Sequence, residues 1–339
     1  MIRVAAFLSQ NLDADFAAEI HDQHPVDESC LIAVSGGRDS MAMLHFLHHH
    51  SYRNLTVIHV HHGLRGEEAD ADEALVRAFS EKLGHPCLVR KVDVAEHATA
   101  ERVSLEEAAR ELRYQEFARI AGEENCPRIF LAHHADDQVE TILFRFFRGS
   151  GARGLSGMVP HAHRKVDGVE LELLRPWLEI SGEKIDAYVA NQNVPFREDL
   201  SNADDFSLRN RIRHRLLPTL TEIFERDVRA AVLRTAELAK RDEAWFEDHL
   251  PTVMKSRENG LDVATLRSLA PAIRDRVLLH WLRDEGVPDV GYREIERAVT
   301  IALSTDHPAK ENLPGGIHIR RRQGVLFLEF PDDNPDAIE

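Results

Sequence analysis

The strongest constraint on the fold is an alternation of short apolar runs with helix-length segments through the first half of the chain. Residues 30–34 (CLIAV) form an apolar run that flows into SGGRDS, and MAMLHFLHHH behind it has helical spacing. Residues 55–60 (LTVIHV) read as a second buried strand, followed by an acidic amphipathic stretch at 67–83. Residues 86–94 (PCLVRKVDV) read as a third strand. SLEEAARELRYQEFARIAGEE is then a helix opened by Ser104 as N-cap, with Glu107 three residues on. Residues 128–132 (RIFLA) make a fourth strand, with the helical DDQVETILFRFFR behind it. Strands separated by helices predict an α/β, Rossmann-like parallel sheet with helices on both faces and right-handed crossovers. Ligands in such sheets bind beyond the carboxyl ends of the strands, which locates the expected site before any motif is named.

The remainder is less regular. A glycine-rich stretch at 148–158 (RGSGARGLSGM) interrupts the helical pattern, short strands are expected around 166–174, and a helix around 179–193. From about 206 to 303 the pattern is helical, with turn signals at Pro251, Asn259-Gly260 and Pro288, and GGIHIRRRQGVLFLEF reads as a closing β-hairpin. At about 150 residues per domain the 339 residues suggest two domains. We place them at 1–217 and at 218–331, the second smaller and mainly helical, with an acidic tail at 332–339 expected to be disordered.

Composition excludes several classes. Hydrophobic residues make up 43% and charged residues 29%, ordinary globular values that argue against disorder. No run of 18 apolar residues exists for a membrane helix, and the start lacks the apolar core of a signal peptide, so a cytoplasmic location is expected. Cys30, Cys87 and Cys126 are widely spaced and form neither a disulfide framework nor a CxxC pair. The formal charge of −16 argues against nonspecific nucleic-acid binding, but the charges are unevenly spread. Residues 64–124 hold nine basic and fifteen acidic side chains, whereas Arg209, Arg211, Arg213 and Arg215 fall within seven residues. Arg320, Arg321 and Arg322 form a second cluster, and Arg145, Arg148 and Arg153 surround the glycine-rich stretch. Each cluster alone fits a solvated face; three in an acidic chain fit a phosphate-contacting surface.

Two junctions carry the chemistry. Ser35, Gly36, Gly37, Arg38, Asp39 and Ser40 join a strand to a helix, where glycines admit a ligand close to the backbone and the helix start presents unpaired N–H groups. No Gly-Lys-Ser/Thr follows, so this is not a Walker A loop. A carboxylate such as Asp39 beside polyphosphate requires a bridging cation such as Mg²⁺; the plainer alternative is a tight turn capped by Asp39 or Ser40. The second junction, AHHADDQVET at 132–141, puts Asp136, Asp137 and Glu140 on one helix face. They fit metal coordination or proton transfer, and Asp137 with Glu140 also fits a capping box. His59, His61 and His62 at the second strand end, and His133 and His134 at the fourth, fit the wall of a nucleotide pocket better than a zinc site.

SGGRDS resembles the SGGxDS signature of PP-loop ATP pyrophosphatases. HHGLRGEEADADE, SLEEAARELRY, LAHHADDQVETILFRFFRGSGARGLSGM, LRPWLEISGEKIDAY and REDLSNADDFSLRNRIRHRLLP follow in the order and spacing of the tRNA(Ile)-lysidine synthetases, a resemblance spanning roughly residues 30–220. It implies a ligase that adenylates the wobble cytidine of tRNA(Ile) with a CAU anticodon, using ATP and Mg²⁺, and then joins free L-lysine with release of AMP and pyrophosphate. By the same resemblance residues 35–40 would hold the ATP phosphates, with Asp39 acting through Mg²⁺. The chain near His59 and His61 would meet adenine, and Asp137 and Glu140 would bind the lysine ammonium. Arg113 would contact substrate or the developing charge on phosphate. Arg148, Arg153, Arg209, Arg211, Arg213 and Arg215 would approach tRNA, with Asp199 and Asn202 shaping the loop ahead of the last four. A homodimer is an expectation from the resemblance alone. Two rival readings remain, a PP-loop tRNA thiolase and a noncatalytic tRNA-binding protein; the scattered cysteines argue against the first and the intact loop against the second.

Overall fold

The computed structural model describes residues 12–64, 66–198, 208–250, 260–304 and 309–331. The tail at 332–339, the turn at Pro251 and Asn259, and the Asp199 and Asn202 segment lie outside the described residues. The chain divides into two compact units, Met1–Phe144 with Gly157–Arg234, and Arg145–Ser156 with Thr235–Glu339. By this division the first unit runs past residue 217, and the glycine-rich stretch up to Ser156 groups with the second unit.

In the first unit, α1 (Ala14–Gln23) precedes β1 (Cys30–Ala33), α2 (Arg38–His49), β2 (Leu55–His61), α3 (Glu67–Leu83) and β3 (Cys87–Lys91). Then come α4 (Val94–Glu101), α5 (Leu105–Glu123), β4 (Arg128–Phe130) and α6 (Ala135–Phe147). The helix expected at 104 starts as its sequence dictates, with the Ser104 hydroxyl accepting from the Glu107 amide at 3.2 Å. After the short α7 (Ala152–Leu155), a hairpin of β5 (His161–Val166) and β6 (Val169–Leu174) leads to α8 (Gly182–Gln192). The six strands lie in the order β3-β2-β1-β4-β6-β5. All neighbours are parallel except β5, which is antiparallel to β6 and forms the edge. Both faces are covered. One core joins Phe46, Tyr52, Phe130 and Trp177; the other joins Leu31, Ile58, Tyr114, Phe117 and Leu173. The order reverses on either side of β1, so β1 and β4 open a crevice at their carboxyl ends where both chemical junctions emerge.

The chain then runs through α9 (Leu208–Arg211), one π-helical turn at Ile212–Leu216, α10 (Leu217–Phe224) and α11 (Arg229–His249). The second unit contains β7 (Leu261–Asp262), α12 (Val263–Ser268), α13 (Pro271–Asp284) and α14 (Tyr292–Leu303). It closes with β8 (Lys310–Asn312), β9 (His318–Arg322) and β10 (Val325–Glu329). The expected hairpin is β9–β10, but it is the centre of a four-stranded sheet, β7-β10-β9-β8, whose Leu326 shares a core with Leu278, Trp281 and Ile301. Its two flanking strands carry only two or three residues each, too short for an alternation pattern to register.

Trp177 is fully buried and meets Phe46 edge-on at 5.8 Å in the first core. Trp177→Ala should cost the first unit about 3–5 kcal/mol in urea unfolding. A loss below about 1 kcal/mol would mean that this core does not depend on the indole.

Candidate active site

At the end of β1 the backbone turns through Gly36, whose φ of +95° favours glycine. A Cβ there would stand 3.2 Å from the Asp72 Cβ, so α3 also presses on the turn. The hydroxyls hold the loop's shape. Ser40 Oγ accepts from the Ser35 amide at 3.1 Å and donates to the Gly37 carbonyl at 3.0 Å, while Ser35 Oγ accepts from the Gly37 amide at 3.3 Å. Gly37 is the N-cap of α2 and supplies no side-chain cap, leaving the helix start to an anionic ligand.

Asp39, in the first turn of α2, is held by two cations. Arg38 reaches its Oδ1 at 2.7 Å and bridges to Asp186 of α8 at 2.6 Å. The residue at the variable position of the loop thus ties α2 to α8. His134, buried before α6, puts Nε2 3.6 Å from Asp39 and 3.7 Å from Asp137, with Nδ1 3.6 Å from Asp136. Burial opposes its charge, but Asp137, Asp39 and Asp136 prevail and raise His134 to about 9, so it is an imidazolium at neutral pH. Burial likewise works against the Asp39 carboxylate, yet His134 and Arg38 hold it below its usual range.

Asp137 does double duty. Its Oδ2 accepts from the His134 amide at 2.9 Å, which caps α6, and Oδ1 faces Arg213 Nη2 at 3.4 Å. Glu140, one turn on and only 3% exposed, accepts from Arg213 Nε at 2.5 Å. Burial raises the Glu140 carboxyl above its usual range, with Arg213 opposing. This placement revises the expectation for Arg213. Together with the other arginines of its segment it was expected on tRNA phosphates, but here the π-helical turn directs its guanidinium onto the two carboxylates. Arg209 pairs with Glu106 at 3.5 Å, while Arg211 and Arg215 are exposed. Arg148 and Arg153 are exposed residues of the second unit.

A cavity of about 970 Å³ brings the phosphate loop together with His59, His61, Arg113, His133 and Arg213; Asp137 and Glu140 stand behind Arg213. His59 donates from Nδ1 to the Val34 carbonyl at 2.8 Å, and His61 contacts Asp70 at 3.2 Å, so both rings are fixed and the strand-end backbone between them faces the cavity.

Beside Arg113 lies a group of arginines that spacing alone does not reveal. Arg164 stacks 4.0 Å from the centre of the buried Tyr114 ring and Arg110 lies 5.1 Å from it. Arg175, also buried, donates to the Val159 carbonyl at 3.1 Å. Burial and the neighbouring Arg110, Arg209 and Arg164 push Arg113 below its usual range. The available signal lay in the motif segments ELRY and LRPW, but only the fold brings Arg175 of the second, and Arg164 of β5, to Tyr114 of the first. The site therefore joins a loop suited to phosphate, a carboxylate pair already holding a cation, and a concentration of guanidinium groups.

Residues 9–220 match the family model described as a PP-loop domain, and residues 261–327 match the TilS substrate binding domain. The tRNA(Ile)-lysidine synthase of Chlorobaculum tepidum is 34% identical over 93% of this chain and 95% of its own length. That of Solibacter usitatus is 32% identical over 88% of this chain and 68% of its own, and that of Dehalococcoides mccartyi 35% identical over 83% and 62%. Among solved structures, the U34-tRNA thiolase NcsA from Methanococcus maripaludis shares the fold, with a TM-score of 0.51 and 15% identity over 67% of this chain and 79% of that one. With the PP-loop model covering more than half of the sequence and relatives aligned along most of it, the chain belongs to the tRNA(Ile)-lysidine synthase family.

Proposed function

We propose that this chain uses ATP to adenylate the C2 oxygen of the wobble cytidine of tRNA(Ile) with a CAU anticodon, and then joins free L-lysine to that carbon. In the first step the cytidine oxygen bonds to the α-phosphorus and pyrophosphate leaves. In the second the lysine amine bonds to C2 and AMP leaves. The observation that carries this reading is a cation-binding carboxylate pair, Asp137 and Glu140, joined through His134 to Asp39 of a phosphate-type loop.

The residues divide the work by chemistry. The uncapped start of α2 and the Gly36–Gly37 turn would orient the triphosphate, and the His134 imidazolium adds positive charge there. The anionic, partly accessible Asp39 oxygens suit a hard cation and would hold Mg²⁺, which supplies charge neutralisation on the phosphates. An ordinary lysine amine, with a pKa of about 10.4, is protonated at neutral pH and cannot attack. Glu140, buried and raised, is suited first to bind that ammonium and then to take its proton. Arg113 and the guanidiniums around Tyr114 would meet tRNA phosphate or the charge developing at the α-phosphorus. Arg209, Arg211 and Arg215 would track the tRNA backbone, as would Arg148 and Arg153. Supply of tRNA and free lysine places this chemistry in the cytoplasm; among the described residues no helix is long and apolar enough to cross a membrane.

Sulfur transfer is disfavoured by the cysteines. Cys30 and Cys126 are buried, and burial pushes Cys30 up to about 12 and Cys87 and Cys126 above their usual range, so none is a ready thiolate.

Protein incubated with ATP, Mg²⁺, labelled lysine and a tRNA(Ile) transcript with a CAU anticodon should incorporate lysine and release AMP; a folded sample that incorporates none would refute the ligase reading. Asp39→Asn should lower adenylation by roughly 100-fold or more while tRNA binding by filter retention is kept. Normal turnover in that variant would remove Asp39 from metal bridging. Glu140→Gln should raise the KM for lysine by about 10- to 100-fold, the worth of one charged hydrogen bond, while pyrophosphate release in the first step continues. An unchanged lysine KM would take Glu140 out of the ammonium site.

A further inference from the structure

The β5–β6 hairpin turns tightly at Asp167 and Gly168, both with positive φ, and this fixes its register. His163 therefore stands directly opposite Glu172, and His161, two residues earlier on the same strand, shares their face of the sheet. One ligand atom from each of His161, His163 and Glu172 lies within 4.8 Å of the other two. The imidazoles are 4.9 Å apart between centroids at 34°, and His161 Nε2 is 3.9 Å from Glu172 Oε2. None of the three lines the cavity described above.

From this juxtaposition we propose that the edge hairpin holds a divalent transition-metal ion, with His161, His163 and Glu172 as its protein ligands and water completing the shell. Two imidazoles and one carboxylate suit zinc and its neighbours and not Mg²⁺ or Ca²⁺, which take oxygen ligands. The surroundings allow it. Arg128 faces Glu172 across the β4–β6 ladder but is itself paired with Glu28. His24 packs edge-on against His161 at 5.8 Å and steadies that ring. Side-chain exposures of 46% at His161 and 32% at Glu172 leave a path from solution. Among the described residues the other similar group, His61, Asp70 and Glu73, is already taken up by cations, since Glu73 meets Arg77 at 2.8 Å and Lys91 at 3.4 Å. An ion bound at the hairpin would clip an edge strand that is held from one side only.

The test is titration of the full chain with ZnCl₂ by calorimetry in excess MgCl₂, comparing it with His163→Ala, His161→Ala/His163→Ala and Glu172→Gln. The unmodified chain should take up one equivalent more than the double variant, and zinc should raise its Tm but not that of the double variant. His163→Ala and Glu172→Gln should each weaken the site about tenfold or more, having lost one of three ligands. All three side chains are at least partly exposed, so metal-free Tm values should match that of the unmodified chain and serve as the folding control. Identical isotherms for the unmodified chain and the folded double variant would overturn the proposal, as would a Glu172→Gln variant with unaltered affinity.

Discussion

Everything at the site depends on a balance of buried charge. Asp39, Asp136, Asp137 and Glu140 converge where β1 and β4 end, and four carboxylates that close would repel one another and any phosphate. The fold answers with His134 at the centre, Arg38 bridging to Asp186, Arg213 across Asp137 and Glu140, and Arg229 on Asp136. The same contacts set the architecture. Gly182 opens α8 by donating to Asp136 at 3.2 Å, and a Cβ there would stand 2.7 Å from that carboxylate oxygen, so a larger residue would push the Asp136 carboxylate aside. Charge compensation and helix placement are here one constraint.

Different parts of this arrangement were legible to different degrees. The parallel strands could be read because a strand buried on both faces is a continuous apolar run, the helix at 67–83 because an amphipathic helix repeats every three to four residues, and the helix at 105–123 from its Ser104–Glu107 cap. The two junctions were legible because strand-to-helix turns in such a sheet face one crevice. Ion-pair partners were not. Nothing in the spacing of 38 and 186, or of 140 and 213, marks them as neighbours; only tertiary packing makes them so. The single π-helical turn that directs Arg213 inwards was equally silent, because a one-residue change in helical register leaves no periodicity to detect. For α4, which follows β3 within three residues, the strand pattern ran on into the helix and hid it.

The net charge of −16 shows the same distinction between sum and placement. Acidic residues of α3 and α5 are taken up by ion pairs, along their own helix as Glu73 with Arg77 and Glu116 with Arg119, or across the fold as the buried Asp72 with Arg197. The arginines at 110, 113, 164 and 175 instead cluster around Tyr114. Their combined field holds the Tyr114 phenol below its usual range in spite of burial. A protein that is anionic overall repels nucleic acid at a distance, and so engages phosphate only where guanidiniums are locally dense.

Arg213 shows what such a balance requires of a binding site. A carboxylate as buried as Glu140 is costly to leave without a cation, since an unpaired buried charge loses its hydration with nothing in return. A guanidinium carried on the same chain removes that cost before any substrate arrives, at an entropic expense smaller than capturing a free ion. It also holds Asp137 and Glu140 on one positive group, so the pair is preorganised for a cation. The raised Glu140 carboxyl shows that the compensation is incomplete: burial still outweighs Arg213. An acid left poised in this way, next to a loop shaped for phosphate, is suited to accept a proton from a bound amine, which a fully neutralised ion pair would not be.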